Sequence, residues 1–351
     1  MSQTKAQLIA GTPTQDVIFN DATVNSLNGG PLAGTRNRII NGDMRIDQRN
    51  AGASVTLTTP VTYTVDRWFG FEDTDGGMTA QQSSTSPSDF VNSLVLTVTS
   101  ADASLAATQR AFVGQRIEGF NISDLNWGTA NAKSVILSFW VRSSLTGTFG
   151  GAIKNGAFNR SYPFDYSISS ANTWEYKSVA IPGDTTGTWN TDNTTGFVIS
   201  FGLGVGSTYS GTAGAWAAAD YNSVTGAVSV IGTNGATFYV TGVQLEAGSV
   251  ATPFERRSYG QELALCQRYY QDMRINTGGV TSSGIGLYGA VQLPVVMRAA
   301  PTAWQESQLL VGSVTSITLT VLGAEYVDFT LSNTSGGSGI GSATYELSAE
   351  L

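Results

Sequence analysis

The hydrophobic period of this chain switches at Ser258, and that switch separates two stretches of strand-like sequence. Upstream, Phe238–Leu245 alternates polar and apolar residues as a half-buried strand does, and Gly248 and Pro253 close it. Downstream, Tyr259, Leu263, Cys266, Tyr270 and Met273 fall at spacings of four, three, four and three, one stripe of a helix. Ser258 with Gln261 has the form of a capping box, and Glu262 places negative charge near the helix start. Arg268 and Arg274 lie toward the other end, before the stop signals Gly278 and Gly279. The spacing predicts one linking helix over residues 256–275.

Everything else reads as strand and turn. With 41 glycines, 13% charged residues and 10% aromatics, the 351-residue chain suits short strands joined by tight turns. Strand-like runs are expected at 62–71, 93–99, 110–117, 135–141, 162–167, 175–181, 196–203 and 238–245. Asn41-Gly42, Asp75-Gly76-Gly77, Gly150-Gly151, Asn155-Gly156, Pro182-Gly183-Asp184 and Asn234-Gly235 supply turns between them. This pacing predicts an all-β fold with a large jelly-roll-like β-sandwich over 37–255. No short period repeats along it, which counts against a β-helix or propeller. Runs at 287–296, 307–310, 317–322, 326–331 and 343–347 predict a small C-terminal β domain over 276–351, with the glycine-rich SNTSGGSGIGS as a loop. Residues 1–36 are turn-rich and poor in apolar surface, an attachment segment that orders against a partner.

Several chemistries are excluded at this level. There is no histidine, so Ser-His-Asp and Cys-His catalysis and His-ligated zinc are ruled out. Cys266 is the single cysteine, so no disulfide forms within the chain, and its place on the apolar stripe reads as a small buried hydrophobe. A formal net charge of −8 argues against nucleic acid, and no apolar run is long enough to insert in a membrane. The start, MSQTKAQLIAG, lacks the long apolar core of a secretory signal.

GVQLEAGSVATPFERRSYGQELALCQRYYQ, at 242–271, resembles the segment that ends the large domain of many bacteriophage tail-fibre and receptor-binding proteins. NRIINGDMRIDQR at 37–49, VDRW at 65–68 and LPVVMRAAPT at 293–302 match further phrases of that family, in the family's order. The resemblance brackets residues 37–302. It implies a jelly-roll, carbohydrate-binding-module-like virion protein that adheres to a host surface glycan, commonly as a homotrimer. Residues 1–36 would then join other virion tail or capsid proteins. The helix stripe spans two heptads, so it can serve a threefold seam or dock on its own sandwich. A purely structural spike, decoration or adaptor is the alternative role, and a polysaccharide depolymerase a second one.

For a sugar site, the sequence offers aromatics in polar loops. A sugar presents a flat C–H face edged with hydroxyls, so a ring beside polar side chains is the expected partner. Trp189 in GDTTGTWNTDNTTG and Trp216 in YSGTAGAWAAADYN lie in such loops, and with Tyr209, Tyr221, Asn190 and Asp192 they form the candidate set. The competing reading has each tryptophan plugging one end of the sandwich. Trp140, among Leu137, Phe139 and Val141, reads as core and Trp174 as either, and the resemblance implies a structural corner at Trp68. Asp165, Asp184, Asp192, Asp220 and Glu175 are available for acid–base work, but nothing pairs two of them, and turn formation is their ordinary use. Asp73-Thr74-Asp75-Gly76 and Asp184 offer oxygens to calcium without the distal Glu of an EF-hand. The expectation is a non-enzymatic protein with no cofactor.

Overall fold

A computed structural model describes residues 36–281, 287–333 and 336–351. The attachment segment expected over 1–36 lies outside the described residues, apart from Arg36.

Among the described residues the fold is all-β, with one short α-helix. The chain opens with β1 (Val55–Thr56), β2 (Thr62–Tyr63), β3 (Trp68–Glu72), β4 (Gly77–Ser83) and β5 (Ser93–Ser100). Next come β6 (Arg110–Glu118), β7 (Val135–Ser143), β8 (Gly147–Asn155), β9 (Ser161–Ile168) and β10 (Glu175–Ile181). The long β11 (Thr195–Val205), the short β12 (Ser210–Gly211) and β13 (Ser223–Val224), and β14 (Thr237–Ala247) complete a jelly-roll-like sandwich. Its two sheets run in the orders β1-β4-β5-β14-β7-β10 and β2-β3-β6-β11-β8-β9, antiparallel throughout. Alternation builds the core between them. Leu137, Phe139 and Val141 of β7 face Phe197, Ile199, Phe201 and Leu203 of β11 across a buried interior. Phe139 and Phe201 meet at 4.9 Å between ring centroids.

After α1 (Tyr259–Gln267) the chain forms β15 (Tyr270–Thr281), β16 (Leu287–Gln292), β17 (Thr302–Gly312), β18 (Val314–Leu322), β19 (Tyr326–Asn333) and β20 (Gly337–Ser348). These make two three-stranded sheets, β15-β20-β17 and β16-β19-β18, around a separate core that includes Met273, Ile275, Phe329 and Leu347.

The helix is shorter than its sequence pattern implied. Ser258 caps it with the expected box, its side chain accepting from Gln261 N–H, and the helix ends at Gln267. Tyr270 and Met273, read as helical, belong to β15. From Gln271 on, buried Gln271, Met273 and Ile275 alternate with exposed Asp272, Arg274 and Asn276, a strand period. Pairing of β15 with β20 runs from Tyr270↔Ser348 to Thr281↔Gly337, and that ladder prevails over helix continuation. Cys266 and half-buried Leu263 pack with Ile40, Ile46 and Tyr269. Tyr259, at the head of the stripe, is 57% exposed, so of the stripe the helix turns only Leu263 and Cys266 into its own chain. With Tyr270 and Met273 in β15, the helical stripe is shorter than two heptads. Cys266 is the buried thiol expected, pushed well up by burial.

Glycines account for most of the other differences. Gly150-Gly151 makes no turn but lies inside β8. A Cβ on Gly150 would come within 2.4 Å of Ser223 Oγ, so the residue serves the close crossing of β13. Gly278 and Gly279 lie inside β15, and the expected loop around Gly337–Ser342 is the start of β20. Asn41-Gly42 turns the chain without joining hairpin strands, and a Cβ on Gly42 would stand 2.2 Å from Val243 O. The expected strand 62–71 is instead the hairpin β2–β3, reversing at Arg67 with φ 71°.

Candidate functional site

Trp189, the leading sequence candidate, is 7% exposed. Its ring meets Trp127 at 4.7 Å, Phe197 at 5.1 Å and Trp216 at 5.5 Å. Each indole N–H of the cluster reaches a backbone carbonyl: Trp189 to Thr186 at 3.1 Å, Trp127 to Lys133 at 2.6 Å, Trp216 to Pro182 at 3.0 Å. Three loops thus close one end of the sandwich with three tryptophans. Asp184 holds the loop that delivers Trp189, accepting Arg160 Nε at 2.8 Å and Nη2 at 2.7 Å and Thr186 N at 3.1 Å. Burial pushes the Asp184 carboxyl up, but these hydrogen bonds outweigh it and the net shift is downward.

The remaining candidates do not join Trp189 in one site. Asn190 donates to Thr195 O at 3.1 Å. Asp192 is an exposed turn former, accepting from the Thr194 hydroxyl at 2.5 Å and the Thr194 N–H at 2.9 Å, bonds that hold its carboxyl below the usual range. Tyr209 lies under the Arg110 guanidinium, 3.9 Å from the ring centroid, and Tyr221 packs on Gly211. Arg110 in turn pairs with Asp220 at 3.0 Å, which also accepts Lys154 Nζ at 2.6 Å. Burial lowers the Lys154 ammonium to about 8 despite that partner. Glu175 pairs with Lys177 at 2.6 Å. Asp184, Asp220 and Glu175 are thus each engaged by a cation, and the structure sets none of these three against another as an acid–base pair.

The geometry of a ligand site appears instead on the outer face of the sheet β1-β4-β5-β14-β7-β10. Because Leu137, Phe139 and Val141 point inward, strand alternation turns Trp140 outward, correcting its sequence reading as core. Tyr176 stands directly opposite on β10, 46% exposed, with its ring 5.6 Å from Trp140 at an interplanar angle of 58°. Phe90 and Phe254, 5.2 Å apart, form the facing wall of a cleft of about 650 Å³. Gly242 opens its floor. With φ 60°, its position would bring a Cβ to 2.7 Å from Phe90 Cζ and 3.1 Å from Trp140 Cδ1. Ser88, Asp89, Ser138, Thr252 and Arg256 supply the polar lining.

The rim is held from beneath. The Glu246 carboxylate accepts Thr252 N at 2.8 Å and the Thr252 hydroxyl at 2.7 Å, and Gln244 donates to Glu246 at 3.0 Å. Glu255 N donates to Gln244 Oε1 at 2.7 Å. All of Gln244, Glu246 and Thr252 are buried, so segment 251–255 and the Phe254 ring it carries are fixed before any ligand arrives. A concave surface of tilted rings edged by hydroxyls, a carboxylate and a guanidinium suits a sugar ring. Trp174 and Tyr239, 6.0 Å apart, extend the aromatic surface beyond Trp140, with Arg142 over Tyr239 at 4.8 Å.

No protein-family model matches the chain, and no curated protein matches it. Solved structures do. The enzymatically active domain of tailspike protein 4 from bacteriophage CBA120 is similar over 60% of this chain, at 14% identity and a TM-score of 0.32, and the chain spans 21% of that one. The family 11 carbohydrate-binding module from Clostridium thermocellum, solved with a β-1,3-1,4-mixed-linked tetrasaccharide, is similar over 58% of this chain and all (100%) of its own, at 13% identity and a TM-score of 0.29. The module TmCBM61, solved with β-1,4-galactotriose, is similar over 61% of this chain and 99% of its own, at 10% identity and a TM-score of 0.30. Likenesses this loose transfer neither ligand nor activity to this chain.

Proposed function

We propose that this protein is a non-enzymatic glycan-binding adhesin of a bacteriophage virion, and that the sugar docks in the Trp140–Tyr176 cleft. The observation that carries the proposal is the pair of half-buried Trp140 and exposed Tyr176 at a preorganised, glycine-floored cleft with a polar lining. Support for the virion setting comes from the sequence phrases spanning 37–302, which resemble tail-fibre and receptor-binding proteins. In this reading residues 1–36 join other virion proteins. Several copies, as in a homotrimer, make a weak site sufficient by raising effective concentration.

The experiment is a glycan array probed with the full chain and with Trp140→Ala. The parent should bind a subset of host polysaccharides, and the variant should lose at least tenfold while unfolding within about 1 kcal/mol of the parent, as at other half-exposed positions. Binding by the variant equal to the parent would remove the cleft from the reading. Appearance of reducing ends in polysaccharide incubated with the chain would replace the adhesin by a depolymerase.

A further inference from the structure

Two arginines flank the Trp140 ring on this face. Arg142 lies two residues along β7 on the same side of the sheet, about 7 Å from Trp140 at the ordinary strand rise, on the side toward Tyr239. Arg256 lines the cleft on the other side, beyond Gly242. Both guanidinium groups are braced by rings and backbone carbonyls rather than by carboxylates. Arg142 Nε donates to Asn172 O at 2.9 Å and lies over Tyr239. Arg256 donates to the carbonyl of Asp89 and sits 4.9 Å from the centroid of Phe90 and 5.9 Å from that of Phe254. Among the described residues neither forms a salt bridge, a feature they share with Arg36, Arg116, Lys133, Arg274 and Arg298, although Arg256 is close enough to the Asp43 carboxylate to stabilise its charge.

These two positioned charges stand on either side of the half-buried Trp140 ring with no carboxylate at salt-bridge distance, on a face whose Tyr176 ring is exposed. We infer that the glycan bound here is acidic, with sugar carboxylates accepted by Arg256 and Arg142 while the rings between them stack on Trp140 and Tyr176. The inference rests on the Trp140–Tyr176 cleft being the sugar site. A guanidinium held in place by a ring and a carbonyl keeps its remaining N–H groups in a fixed fork, the geometry that takes a carboxylate bidentately. The Asp89 carboxylate on the same lining then serves as a hydroxyl acceptor, and its own negative charge sets an upper limit on how densely the ligand can be charged near it.

The test is affinity electrophoresis of the full chain in gels containing polygalacturonate, alginate or hyaluronate. Gels with fully methyl-esterified polygalacturonate, xylan or galactan provide the neutral set. Retention by at least one acidic polymer is expected, with retention by the esterified form reduced at least tenfold if polygalacturonate is the one bound. Arg142→Gln and Arg256→Gln should each weaken acidic binding about tenfold and reduce its dependence on salt, with melting unchanged. Retention only by neutral polymers, or arginine variants that bind as the parent does, would overturn the inference. In that case loss of neutral binding in Trp140→Ala would leave the cleft as the site. Retention by neither set would overturn both.

Discussion

The guanidinium carbon of Arg67 lies 3.5 Å from the centroid of the Tyr269 ring. Arg67 is 2% exposed, adopts a positive φ, and directs its two terminal nitrogens to the Glu350 carboxylate and to Arg116 O at 2.6 Å. Tyr269 donates its hydroxyl to Glu118 at 2.6 Å, and the same carboxylate takes Arg268. Burial raises the Tyr269 phenol to about 12. Around this stack the resembling phrases meet. Trp68 Nε1 donates to Asn41 O at 3.0 Å, Asn41 N to Glu262 at 2.5 Å, and Arg298 to the carbonyls of Ala349 and Glu350 at 2.8 and 3.0 Å. The phrases at 37–49, 65–68 and 293–302 and the helix of the 242–271 phrase therefore describe the clasp that binds the sandwich, the helix and the C-terminal sheets, whereas Gly242, Thr252, Phe254 and Arg256 of the 242–271 phrase line the Trp140 cleft.

Arg67→Ala should lower the unfolding free energy by roughly 3–5 kcal/mol, because it removes the stack and leaves Glu350 buried with Arg49 as its remaining partner. Arg67→Lys should recover only part of this, since an ammonium cannot bridge Glu350 and Arg116 O while lying flat on Tyr269. Denaturant unfolding of both variants checks the order. A lysine variant as stable as the parent would contradict the role assigned to the planar group.

Much of the sandwich was legible because burial on one face imposes period two, and β5, β6, β9, β10 and β14 emerge from alternation within a few residues of their bounds. The same rule placed Trp140 on the face opposite Phe139 and Val141, yet an apolar run of Val, Leu, Phe, Trp and Val reads as core when only hydrophobicity is weighed. Trp189 shows the converse. Its own loop is polar, and the rings that bury it, Trp127 and Trp216, come from positions 62 residues earlier and 27 later in the sequence. Such contacts have no local signature. The helix was overextended because Tyr270 and Met273 continue its three-and-four spacing, whereas the strand period that replaces it begins only at Gln271. The partner that decides between them, β20, lies some 70 residues away.

Trp189→Ala should cost roughly 3–5 kcal/mol, as for large buried aromatics. The loss falls on the tryptophan plug and not on the cleft, so material that remains folded at low temperature should bind glycan as the parent does. Melting temperature and array binding measured on the same preparation separate the two effects. An unchanged melting temperature with lost binding would return Trp189 to the sugar site.

Acid should loosen that same plug through Asp184. Its folded-state pKa lies below the unfolded value, so the folded protein binds this proton less readily than the unfolded chain does. The stability it contributes is therefore fully present above the ordinary Asp range, near pH 4, and is lost as pH falls through the lower folded value. Asp184→Asn should destabilise by about 1–3 kcal/mol at pH 7, by leaving Arg160 without its charged partner. The difference between variant and parent should shrink between pH 4 and pH 2. Melting curves across that range give the comparison, and a gap that stays constant with pH would show that the carboxylate charge is not what holds the loop.

Gly242 gives the most selective probe of the cleft, since it shapes the site without contributing a side chain. A methyl group there meets two penalties. The backbone sits at φ 60°, where a Cβ costs roughly 1–2 kcal/mol. The added carbon would also stand 2.7 Å from the Phe90 ring and 3.1 Å from the Trp140 ring, so one of them must move. Phe90 is on a loop and gives more easily than Trp140, which is fixed between Thr241 and Tyr176 on neighbouring strands. Gly242→Ala should therefore remain folded, lose about 1–3 kcal/mol of stability, and narrow the cleft from its floor. Glycan affinity should fall at least tenfold although every residue that touches sugar is still present. Isothermal titration with the best array ligand reads that loss. A Gly242→Ala protein that binds with parental affinity would mean that the sugar does not enter the cleft between Phe90 and Trp140.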